Sequence, residues 1–271
     1  MQDTDFDKML HASDPDRRLA ALFAPAEVRA RLFALYAFNQ EIGRIAEATS
    51  EGMIGEMKLT WWHDAVADLY ADTPRVRRHA VTEGLAGLTG MISLEDLQGL
   101  IDARFDDISA RPYASLDALL DYVDATAGRL MSLALRLCEA ELAPGTLQAA
   151  GRAWGLTGLL RAFPVRASIG RAPVGGDDLS DAGATPAMLA QGLGEEKVKR
   201  AIVPVRQAAE NALAELRAAG PLPAAALPAT GYALLARGYL DALPENPYLI
   251  APERSLLARQ MRLTWLSLTG R

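Results

Sequence analysis

Residues Pro25–Ala48 read PAEVRARLFALYAFNQEIGRIAEA. Pro25 fixes its own φ and suits the opening of a helix. Leu35, Phe38, Ile42 and Ile45 then recur at helical intervals along one face. The other face is polar and gathers Asn39, Gln40, Gly43, Arg44 and Glu47. After a short break, a second helix begins near Gly55 and carries Trp61 and Trp62. Neighbours on a helix point about 100° apart, so one indole is expected in the core and the other against a partner helix or groove.

Outward from this pair, helical periodicity continues and strand signals are nearly absent. Helices are predicted near 56–71, 74–90, 94–108, 115–141, 145–163, 195–219, 228–243 and 252–269. Asp14 followed by Pro15 predicts an N-cap and a first helical residue. Ser93 with Asp96 three residues on predicts another helix start. Gly220-Pro221-Leu222-Pro223 and Pro244-Glu245-Asn246-Pro247 break the chain. Segment 164–194, rich in Pro and Gly, reads as an irregular connection with one or two short helical turns, and connections of that length are often functional. No internal repeat or long linker appears. The expectation is one all-α domain over residues 1–271, with roughly ten helices, too many for a four-helix bundle.

Composition excludes several function classes. The chain has 271 residues, half of them hydrophobic, with a net charge of −6. Nucleic-acid binding needs a basic surface and is disfavoured. The single cysteine, Cys138, rules out an internal disulfide or a Cys-rich metal site and is expected to pack in the interior. The acidic start MQDTDFDKML is neither a secretory signal nor an Arg-rich transit peptide, and no stretch reaches the ~18 apolar residues of a spanning helix. His11, His63 and His79 are scattered and read as surface or packing residues. Adjacent acids, Asp106-Asp107 and Asp177-Asp178, diverge on a helix and read as solvated surface groups. The apolar C-terminal stretch LLARQMRLTWLSL is expected to pack in the core rather than lie on a membrane.

Four stretches together resemble the squalene/phytoene synthase family. They are Pro25–Ala48; Arg111–Leu137, RPYASLDALLDYVDATAGRLMSLALRL; Ala153–Leu179, AWGLTGLLRAFPVRASIGRAPVGGDDL; and the terminal RQMRLTWLSLTGR. The resemblance spans the chain from about residue 14 and implies the isoprenoid-synthase fold, a helical bundle around a central apolar cavity. Active members of that family join two isoprenoid diphosphates head to head. They do so with aspartates on two facing helices that hold Mg²⁺, an ion that prefers oxygen ligands.

By that resemblance, Gly43, Arg44 and Glu47 stand at the aspartate positions of the first helix. Ala162 and Arg166 stand at those of the second, with Gly158 where the family has Asn. Arg161 and Arg171 are retained. Only Glu47 keeps an acid, and two positions have turned positive. The expectation is therefore no catalytic residue, no metal and no cofactor, Mg²⁺ included. Asn39, Gln40, Gly43, Arg44, Glu47, Gly158, Arg161, Ala162 and Arg166 would line the former active site. Arg44, Arg161, Arg166 and Arg171 offer a metal-free anion contact as the counter-reading, with a surface ion pair favoured for Arg171.

Phe38-Asn39-Gln40-Glu41, followed by the Gly55–Trp62 pattern, is similar to a divergent branch of the family that helps assemble respiratory complex I. This branch implies a non-catalytic helper with a protein client, a peripheral-arm subunit of NADH:quinone oxidoreductase. The lack of a transit peptide implies a bacterial cytoplasmic protein, with a peripheral position on the inner membrane as a variant. The alternatives are a head-to-head prenyltransferase and a carrier holding a lipid or isoprenoid in the cavity.

Overall fold

The computed structural model describes residues 2–49, 51–109 and 111–270. The chain begins with α1 (Gln2–Ser13), α2 (Pro15–Ala21), α3 (Ala26–Gly43), α4 (Gly52–Leu69), α5 (Ala80–Ala86) and α6 (Leu94–Ile108). Next come α7 (Leu116–Val123), a π-helical turn at Asp124–Gly128, α8 (Arg129–Leu137) and α9 (Pro144–Arg161). Three short helices follow, α10 (Phe163–Ser168), α11 (Gly176–Asp181) and α12 (Pro186–Ala190), and then the long α13 (Glu195–Ala218). The chain closes with α14 (Leu227–Thr230), α15 (Ala236–Asp241) and α16 (Leu256–Thr269). Among the described residues there is no strand, only an isolated bridge between Tyr113 and Gly175. The fold is all-α, as the periodicity predicts.

Local chemistry explains most boundaries. Ser93 and Asp96 form a reciprocal capping box at the start of α6. Pro144 opens α9 and Pro186 opens α12. The helix predicted over 74–90 forms only at Ala80–Ala86. Before it, Arg75 and Arg77 both reach back to Asp68, at 2.8 and 2.7 Å, and hold the intervening chain out of helix. His79 caps α5 through Nδ1, which accepts from the Val81 N–H. The predicted 228–243 helix is broken into α14, a 3₁₀ stretch at Gly231–Leu235 and α15. Segment 164–194 holds three short helices rather than one or two turns.

The core-facing set Leu35, Phe38, Ile42 and Ile45 is buried, and α3 packs against α1, α5 and α8. A second apolar cluster forms where α9 lies along α13. A third, smaller one is enclosed by α10–α13. α9 approaches the π-helical turn so closely that a Cβ on Gly151 would sit 2.8 Å from the Gly128 Cα. Glycine is needed there because backbone stands where a side chain would go. That contact places the Gly155–Gly158 edge of α9 opposite the polar face of α3.

Candidate functional site

One cavity of about 270 Å³ is lined by α3, α6, the π-helical turn, α9 and α10. It brings together Asn39, Gln40, Gly43, Arg44, Glu47, Gly158, Ala162 and Arg166. Arg161 is not among its lining residues. Its guanidinium instead stacks on the Tyr239 ring, 3.9 Å from the centroid. Arg44 and Glu47 are exposed at the rim.

Beside this cavity, in the wall of an adjoining depression of about 640 Å³ that Glu47 also lines, stands an acid that the sequence reading placed in solvent. Asp107, near the end of α6, is only 6% exposed. Its Oδ1 accepts from Arg166 Nη2 at 2.5 Å, its Oδ2 faces Arg104 Nη1 at 3.3 Å, and the Tyr122 hydroxyl donates to it at 2.8 Å. Arg104 also donates to the Tyr122 oxygen at 2.9 Å and to the Asn39 side-chain carbonyl at 3.1 Å. Burial raises the Asp107 carboxyl pKa, but the Arg166 and Arg104 guanidiniums outweigh it and hold the group below the usual carboxylate range. Burial, and then the Asp107 charge, push the Tyr122 phenol up, so it stays protonated and donates.

Arg171 departs from the expected surface ion pair. It is buried, stacked on Tyr113 at 3.8 Å, and donates to the Arg111 carbonyl at 3.0 Å. It ties the 170–176 connection to the segment before α7, beside the Tyr113–Gly175 bridge.

Asp14 stands at the N-cap position of α2 with Pro15 the first helical residue, as predicted, but its carboxylate is used elsewhere. It makes no capping bond at α2. Its Oδ2 accepts from Arg17 Nη1 at 2.6 Å and from Gln40 Nε2 at 3.1 Å. Arg17 enters the cavity wall among the Tyr36, Trp154 and Tyr232 rings, at 5.9, 5.9 and 5.2 Å. Next to this group, Asp16 accepts from Tyr239 at 2.5 Å and from Arg259 at 2.9 Å, which fastens α2 to α15 and α16. Arg17, Arg104 and Asp107 escaped the sequence reading. The Arg104–Asp107 spacing of i, i+3 was the one local hint of an ion pair.

The donor set does not suit Mg²⁺. Positions 43, 44, 162 and 166 offer no carboxylate, and Asp107 is already held by two guanidiniums. Among the described residues, no group of three or more His, Cys, Asp or Glu side chains converges as metal ligands. The chemistry this arrangement performs is charge neutralisation inside the protein: Arg166 and Arg104 satisfy the buried Asp107 brought in from α6.

Around the rim lies a second depression of about 430 Å³, lined by Glu41, Arg44, Ile45, Ala48, Lys58, Trp61 and Trp62. Trp62 is buried against Phe38, with ring centroids 5.6 Å apart, and Trp61 is partly exposed. Met53, Ile54 and Met57 on α4 are exposed beside Trp61 along one helical face. Cys138 is half-buried, and burial pushes its thiol up to about 11, so it is a poor nucleophile at neutral pH.

This fold, with its paired helices facing a polar cavity, defines a class. The chain belongs to the squalene/phytoene synthase family, whose sequence model matches residues 10–266. Among its relatives is the mouse (Mus musculus) protein named NADH dehydrogenase (ubiquinone) complex I, assembly factor 6. The two are 30% identical over 163 residues, 59% of this chain and 49% of that protein. The chain thus matches about half the length of this relative. A presqualene diphosphate synthase of Sinorhizobium fredii is 27% identical over 196 residues, 70% of this chain and 69% of that enzyme. In three dimensions the chain superimposes on a dehydrosqualene synthase solved with a ligand. The TM-score is 0.79 at 17% identity, over 98% of this chain and 95% of that one. At that identity the match shows the fold alone.

Proposed function

We propose that this protein is a non-catalytic member of its family that acts in assembly of a respiratory NADH:quinone oxidoreductase by binding a protein client. The observation that carries this reading is the Arg166–Asp107–Arg104 cluster. A catalyst of the family type needs clustered carboxylates to gather Mg²⁺ and neutralise a diphosphate. Here guanidiniums stand in that space and are committed to Asp107. The similarity to complex I assembly factor 6 supports the same reading. The expected client is a subunit of the enzyme's peripheral arm. The surface offered for it is the α4 face with Met53, Met57 and Trp61, next to the rim depression. Aromatic and Met side chains are enriched at interface cores.

The test is a deletion strain combined with a tagged copy. Loss of assembled NADH:quinone oxidoreductase, and capture of a peripheral-arm subunit by the tagged protein, are the expected results. Normal enzyme content in the deletion strain overturns the proposal.

A second reading, a head-to-head prenyltransferase, draws on the presqualene diphosphate synthase relative and on the persistence of a cavity between α3 and α9. Incubation of the purified protein with farnesyl diphosphate and Mg²⁺ separates the two. Formation of a condensed product favours the enzyme.

A further inference from the structure

α16 carries apolar side chains on two opposite faces. Leu263 and Leu266 are buried against the body of the protein. Leu257, Met261, Trp265 and Leu268 are 64%, 64%, 58% and 78% exposed. With 3.6 residues per turn, these four fall within an arc of about 80°, opposite the buried pair. The expectation of core packing for this stretch therefore holds only for Leu263 and Leu266, while its other apolar side chains are exposed. A contiguous exposed stripe of this kind marks an interaction surface.

Beside the stripe lies a cleft of about 230 Å³ lined by Arg217, Arg237, Arg254, Arg259 and Arg262. Arg237 is paired with Asp241 at 2.8 Å, and Arg259 with Asp16 at 2.9 Å. Arg217, Arg254 and Arg262 make no ion pair with a carboxylate among the described residues. Burial, and then the neighbouring Arg217 charge, hold Arg262 below the ordinary arginine range, as expected for like charges without an anion between them. In a chain of net charge −6, this cluster is a local reversal of sign.

We propose that α16 and its arginine cleft form a docking surface for a bilayer containing anionic lipid. Leu257, Met261, Trp265 and Leu268 enter the boundary between headgroups and acyl chains, while Arg217, Arg254 and Arg262 take lipid phosphates. Apolar insertion and basic residues together give the two contributions that stable peripheral binding requires. Trp is suited to that depth, with an apolar body and a polar N–H. A second copy of the chain fits less well. Four side chains fall far short of the roughly 20–30 residues per side of a standard protein interface. A helix long and apolar enough to span a bilayer is absent among the described residues, so the contact is peripheral. The inference stands apart from the assembly reading, because vesicle binding needs no client.

Flotation of the full chain with phosphatidylcholine vesicles, with and without phosphatidylglycerol, tests it. The chain is expected to float with the anionic vesicles and to release at high salt. Met261→Asp and Trp265→Glu are expected to lower vesicle affinity about tenfold or more. Arg217→Glu and Arg262→Glu are expected to lower it at least about fivefold each, with Arg262→Lys retaining most of it. Trp265 emission should shift to the blue on binding, a change that Trp265→Phe removes. Circular dichroism of the Met261→Asp protein should match the parent, because the side chain is exposed. Absence of flotation with anionic vesicles overturns the proposal, as does equal flotation of the parent and Met261→Asp. A Met261→Asp protein that loses a dimer, with no vesicle binding by the parent, assigns the face to a second copy instead.

Discussion

The space between α3 and α10 and the outer face of α16 break the usual partition of residues in opposite directions. In the first, charges are taken out of water: Asp107, Arg166, Asp14 and Arg17 are buried, and Arg104 half-buried, in or beside a cavity wall. In the second, apolar side chains lie in water. The interior anomaly is compensated within the chain, since Asp107 and Asp14 each have guanidinium partners within 3.3 Å. The surface anomaly has no compensation inside the protein. A charge-paired network of this kind makes structure, even with the Nε atoms of Arg17, Arg104 and Arg166 left without a hydrogen-bond partner, whereas an uncovered stripe asks for something outside. The polar space between α3 and α10 is thus part of the scaffold, and the exposed apolar faces lie on α4 and α16.

The comparison breaks most directly at Asp107. Asp107→Ala leaves two buried guanidiniums without their shared counter-charge and is expected to cost about 3–5 kcal/mol in urea denaturation. A triple Asp107→Leu, Arg166→Met, Arg104→Met protein should lose much less, because no charge of the cluster is left alone. A single-site cost near that of an ordinary surface change would mean that the network is solvated, and the contrast with α16 would collapse.

Acid sharpens the same point. The folded-state pKa of Asp107 is depressed, so its contribution is present above the unfolded value of about 3.9 and is lost as pH falls through the folded pKa. The stability difference between the parent and Asp107→Asn is therefore expected to be constant near neutrality and to shrink below pH ~4. A gap that grows as the solution is acidified would contradict the assignment.

A smaller effect is expected where α9 meets the π-helical turn. Gly151→Ala puts a methyl against the Gly128 backbone and should cost about 1–3 kcal/mol by thermal or chemical unfolding. Gly145→Ala, with open space around its Cβ position, serves as the control on the same helix.

The least effect on stability belongs to the exposed α4 stripe. Met53→Asp and Met57→Asp, at side chains 70% and 67% exposed, are expected to change stability by no more than about 0.5 kcal/mol while abolishing client capture from membranes. If either substitution destabilises the fold as strongly as Gly151→Ala, the stripe is structural and not a docking face.

Local patterns were readable because they depend on neighbours along the chain. Periodicity announced the helices, Ser93 with Asp96 announced the α6 cap, and the polar face from Asn39 to Glu47 announced one wall of the cavity. Asp107 stayed hidden because Arg166, its partner, is 59 residues away, and a doublet of acids looks like surface in any helix. Asp14 was read correctly as the N-cap position, but its ion pair stayed hidden for a similar reason. Asp before Pro has the form of a cap, but Arg17 and Gln40 offer its carboxylate better partners than the helix N–H groups.

By itself, then, the order of residues determined an all-α member of the squalene/phytoene synthase family. Which charges neutralise one another, and which apolar stripe stays in water, was decided only in three dimensions. Helix formation is written in contacts three and four residues apart. Burial and charge pairing depend on what the completed fold sets against each side chain.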